Sequence, residues 1–161
     1  MTVKFFVLYL HLVAAMFWIG EMLTLMLILT PVVYRQGDTA KRAQLYHEVG
    51  MQSRPWMLGA LALLVATGVG NLYFLNVPWK TLFDLGFYRT PLGRTLGWKL
   101  LGVLGILLLT VLHDVAMARL RARGGTVTRG SYRALGRWVG RLNLLLGLLV
   151  SWLGLRLMFG G

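Results

Sequence analysis

Apolar residues in this chain come in long runs separated by short stretches where charge and turn-forming residues collect. A helix needs about 20 mostly apolar residues to cross roughly 30 Å of hydrocarbon. Four stretches meet that requirement, at residues 3–33, 56–75, 92–117 and 138–158. The pattern predicts an all-α integral membrane four-helix bundle, a single domain over residues 1–161. After Pro31, Gln36-Gly37-Asp38-Thr39 supplies a turn and a helix N-cap. Residues 40–55 are amphipathic, with Ala43, Tyr46, Val49 and Gly50 on one face. They read as a cytoplasmic helical extension entering the second span, Pro55 being tolerable near a first membrane turn. The connection over 76–91 carries Trp79, Phe83, Phe87 and Tyr88, suited to the membrane interface and a candidate lid. Thr126 to Ser131 reads as a plain inner loop. Gly136, Gly140, Gly147 and Gly154 permit close helix approach along the last span.

Composition strengthens this picture. Of 161 residues, 57% are hydrophobic, and the mean hydropathy of +0.67 lies above the usual soluble range. Most of the chain is used in crossing the bilayer, so any site must be built from the helices or their connections. The N-terminal apolar run continues far past Ala14-Ala15, through Trp18 and Glu21, and so reads as a retained helix rather than a signal peptide. Zero cysteines exclude disulfides, thiolate metal sites, iron–sulfur clusters and covalent haem attachment. Histidine, methionine and carboxylate remain as candidate ligands.

Charge adds orientation. Of the 17 basic residues, eleven fall in the connections after the first and third spans, from Arg35 to Arg54 and from Arg119 to Arg141. The termini and the middle connection share the other six. The positive-inside rule therefore predicts both termini on the outer side of the cell inner (plasma) membrane, with a multi-pass topology. A net charge of +12 in a soluble protein would suggest nucleic acid. Here the basic residues collect where anionic headgroups lie, and the expected partner is the lipid bilayer.

Ionisable groups at membrane depth are costly, which makes them candidates for function. His11 lies on the first span, with Trp18 and Glu21 close to the same helical face. Its readings are a hydrogen bond to a neighbouring helix, or metal or haem ligation. Lys99 enters the third span at nearly the depth of His11 and either snorkels to the interface or anchors a propionate or substrate carboxylate. His113, beside Asp114, lies about 21 Å of helical rise further on. His47, on the extension, is its candidate inner partner. Glu21 reads as a proton relay, an ion ligand or a polar contact between helices. Met16, Met22, Met26, Met51 and Met57 are either packing or soft ligands for copper(I). Two axial histidines of one haem must share a depth, so His11 and His113 predict two levels, outer and inner. No Walker loop, nucleophile elbow or H-E-x-x-H pattern occurs.

Several short stretches resemble a known family. LHLVAAMFWIG, the Thr67-Gly68 pair, WKLLGVLGILLLTVLHD and GRLNLLLGLL are similar to the membrane domain of the copper-resistance protein D (CopD) family and, more distantly, to HemJ-type protoporphyrinogen oxidases. The HemJ likeness implies a haem-binding bundle in which the positions of His11 and Lys99 matter. The CopD likeness implies copper uptake or delivery. The chain departs from the HemJ frame where TPVVYR ends the first span and where Asn143 is followed by Leu144.

The expectation drawn from residues and resemblance together is a haem b-binding membrane redox protein, acting in electron transfer or as an oxidoreductase. It would hold one or two haems through His11, His113 and His47, with Lys99 as outer partner. Its redox partner would be a quinone, a porphyrin or another carrier, and a homo-oligomer is a candidate assembly. The alternatives are a copper-homeostasis protein using Glu21, His11 and the methionines, and an assembly partner with no cofactor.

Overall fold

The computed structural model describes residues 2–35, 37–122 and 129–159; the side chains at 39, 40, 43, 47, 117, 118, 120–122 and 129–137 lie outside that description. The described residues are overwhelmingly helical, with no strand among them. Four helical stretches are long and apolar enough to cross a membrane: Thr2–Arg35, Gln44–Phe74, Pro91–Ala116 and Trp138–Met158. The protein is a multi-pass helical membrane protein. Its chain divides into two compact units, Met1–Thr81 and Leu82–Gly161.

The first unit is a helical hairpin. Its first arm is α1 (Thr2–Thr24), a π-helical turn (Leu25–Leu29) and α2 (Thr30–Arg35). Pro31 accounts for the π turn. In an unbroken α-helix its ring would meet the carbonyl of Leu27 and its missing N–H would leave that carbonyl without a donor. The widened turn avoids this, and the Thr30 N–H and the Thr30 hydroxyl both donate to the Leu25 carbonyl, the latter at 2.9 Å.

The second arm is α3 (Thr39–Phe74), one helix with Pro55 inside it. Its first turn is closed by the Arg42 N–H donating to the Asp38 carbonyl at 3.1 Å. At the far end Asn76 takes a positive φ of 53°. There the Asn76 N–H donates to Tyr73 O and the Val77 N–H to Leu72 O, satisfying carbonyls that the helix end would orphan. The arms run antiparallel. Val7 lies by Gly70 and His11 by Thr67, and the α1 stripe of Ala14, Trp18 and Met22 is buried.

The second unit begins with two short 3₁₀ segments, Trp79–Phe83 reaching into it from the first and Phe87–Arg89. The exposed Phe83 and Leu85 lie in this aromatic connection, and the Tyr88 hydroxyl donates to Leu82 O at 2.8 Å. Then come α4 (Pro91–Ala122) and α5 (Arg129–Met158). Pro91 opens α4 where no N–H is needed, and Thr90 caps it by accepting the Gly93 N–H at 3.0 Å.

Helices α4 and α5 pack antiparallel and closely. A Cβ built on Gly102 would stand 2.6 Å from Val150 Cγ2, and one on Gly154 would stand 3.3 Å from Lys99 Nζ. Leu96, Ile106, Leu144, Leu153 and Leu157 fill the rest of this interface. Helix α5 starts at Arg129, ahead of its apolar span, so the expected inner loop Thr126–Ser131 is in part helical. Residues 126–128 of that loop lie outside the described residues.

Candidate functional site

Three polar constellations interrupt the apolar interior, two in the first unit and one in the second. The first centres on His11. Its Nδ1 lies 2.8 Å from the Thr67 hydroxyl oxygen. The single Thr67 proton points back along α3 to the carbonyl of Leu63 at 2.6 Å, with Leu64 O at 3.3 Å. With that proton engaged, Thr67 is placed to accept from His11, an arrangement that matches the tautomer protonated on Nδ1. Thr67 is only 7% exposed, so the pairing is shielded from solvent. Gly68 lies against the ring, a Cβ there reaching 3.6 Å from His11 Cε1.

The second lies further along the same helix pair. Glu21 lies beside Ser53. Its Oε2 is buried with no hydrogen-bond partner among the described residues. Phe17, Glu21, Val49, Gln52, Ser53 and Trp56 line an open cavity of about 300 Å³.

The third runs along the α4/α5 interface. Lys99 is half-buried with Nζ beside Gly154. On the same face of α4, Thr110 donates to Ile106 O at 2.8 Å and accepts from Asn143 Nδ2 at 3.4 Å. Asn143 is 7% exposed, and its Oδ1 has no partner among the described residues. One turn beyond Thr110, His113 Nδ1 stands 3.5 Å from the carboxylate of its neighbour Asp114.

The expected site residues thus fall into two sets. His11 and Glu21 lie on one face of α1, ten residues apart, while Lys99 and His113 lie on one face of α4. The side chain of His47 lies outside the described residues, and the backbone there is helical as part of α3. No three histidine, aspartate or glutamate side chains converge among the described residues. Haem needs only one or two axial ligands, because the macrocycle supplies the rest.

Thr67, Ser53, Thr110 and Asn143 were not singled out as site residues in the sequence. Their signal was present as uncharged polar residues inside or beside apolar spans, where each must find a partner.

Comparison with known proteins adds kinship. The chain is 31% identical over 154 residues to an uncharacterized protein of Aquifex aeolicus (strain VF5), covering 95% of this chain and 94% of that one. The two belong to one family. A match of that length takes in all four spanning helices, so the family shares the whole four-span frame rather than one hairpin of it. No family model matches the chain, and no solved structure matches it.

Proposed function

We propose that this protein is a haem b-binding membrane redox protein, related to the CopD and HemJ frames, that carries electrons or acts as a membrane oxidoreductase. The observation that carries the reading is the His11–Thr67 pair. A histidine that ligates a metal through one nitrogen characteristically donates its other N–H to a fixed acceptor, which sets tautomer and ring orientation. Thr67 does this for Nδ1, making Nε2 the ligating atom.

Iron in haem would supply reversible one-electron transfer. The chain's own residues do the rest. His11 ligates. Gly68 leaves room at the ring edge. Lys99 offers a cation for a propionate or an anionic substrate, and its amine lies over the small Gly154. His113, steadied by Asp114, is the ligand for a second, inner level, with His47 as its candidate partner. Glu21 serves as a proton acceptor. The distribution of basic residues supports a plasma-membrane location with both termini outside.

An absorbance spectrum of protein expressed with adequate haem tests this. A Soret band that shifts on dithionite supports the reading, and its absence sinks it. His11→Ala and His113→Ala should each remove part of the signal. If one removes all of it and the other none, there are not two sites.

A further inference from the structure

The cavity beside Glu21 combines features that no packing argument requires. A carboxyl oxygen buried without a partner is unfavourable at any depth where water is scarce, and natural interiors rarely leave one so. Oε2 of Glu21 is in that state, and the cavity lies against its side chain. Ser53 and Gln52 add a hydroxyl and an amide to the same wall. The exposed rings of Phe17 and Trp56 form the rest of the lining. At about 300 Å³ the space is at the small end for ligand sites.

Its place along α3 is informative. The cavity falls where α3 changes from the polar stretch 39–54 to the apolar stretch 56–74, beside Arg54 and Trp56. An amphiphile there would set its polar ring beside the polar stretch and its tail along the apolar one.

A ligand that satisfies Oε2 must hydrogen-bond it, present a flat face to the aromatic walls and reach the site along the bilayer. We propose that this cavity binds the ring of a lipid-soluble quinol, one hydroxyl of which hydrogen-bonds the Glu21 carboxyl while the ring lies between Phe17 and Trp56. A hydroxyl both donates and accepts, so it suits Glu21 in either protonation state. The quinol is neutral, so no unpaired charge is buried with it. The oxidised quinone, which has acceptors only, fits less well. The inference stands whether or not His11 holds haem.

The test uses the full chain in nanodiscs, with binding of decylubiquinol and decylubiquinone measured by isothermal titration calorimetry. The quinol should bind more tightly than the quinone. Glu21→Leu, which removes the hydrogen-bonding group, and Val49→Phe, which fills the cavity, should each weaken quinol binding by at least about tenfold. Failure of the wild-type chain to bind quinol, or retention of affinity within about twofold in both variants, overturns the proposal. Should Glu21→Leu not fold, Val49→Phe and Ser53→Ala decide by the same criterion. A missing Soret band with quinol binding intact defeats only the haem reading; a Soret band with no quinol binding defeats only this one.

Discussion

Thr67 shows how much one hydroxyl can determine. It fixes which nitrogen of His11 carries the proton, and it does so while its own proton is held by Leu63. Thr67→Val keeps the shape and removes the acceptor. It should cost about 1–3 kcal/mol in thermal unfolding measured in detergent, the range for a buried polar group left without its partner. On the haem reading it should also weaken haem retention by about 10- to 100-fold, the usual effect of removing such a supporting group. Thr67→Ser should restore both, and a stability unchanged in Thr67→Val would mean that the pair contributes nothing. His11 was legible in the sequence because an ionisable group in an apolar run stands out. Thr67 was not, because a threonine in a spanning helix commonly bonds back to its own backbone, as Thr67 also does. Its second role depends on which helix lies opposite.

At the scale of helices, glycine context separates structural from idle positions. Gly102 faces Val150, a β-branched residue with one favoured rotamer in a helix, so the methyl of Gly102→Ala has no flexible neighbour to displace. That substitution should destabilise the second hairpin by about 1–3 kcal/mol, as overpacking does. Gly20 has nothing within 4 Å of a built Cβ. Gly20→Ala should therefore be neutral or stabilising by up to about 1 kcal/mol. Thermal melts of the two variants side by side check both. The existence and number of spanning helices were legible from apolar run length alone. Their continuity was less so. The segment around Pro31 continues as helix through a π turn that depends on Thr30 donating to Leu25, a local remedy with no signature in hydropathy. The close approach of α4 and α5 is foreshadowed by Gly154, while Gly102, the tightest contact between them, lies in the partner helix α4.

At the scale of the whole chain, length exceeds the membrane. The Thr2–Arg35 stretch has 34 residues, about 51 Å of helix at 1.5 Å per residue against roughly 30 Å of hydrocarbon. Its partner α3 is polar over residues 39–54, and Arg35, Lys41, Arg42 and Arg54 collect toward the same end of the hairpin. On the proposed orientation, alkaline phosphatase fused after Gly161 should be active and a fusion within residues 36–38 inactive; the reverse pattern would invert the topology.

The division at Thr81 and Leu82 also has a consequence in time. Ribosomes add roughly 5–20 residues each second, so the first hairpin is complete about 4–16 s before the last residue is joined. Everything that holds His11 to Thr67, and everything that lines the Glu21 cavity, belongs to that earlier half. The nascent chain can therefore shape both sites while its second half is still being translated.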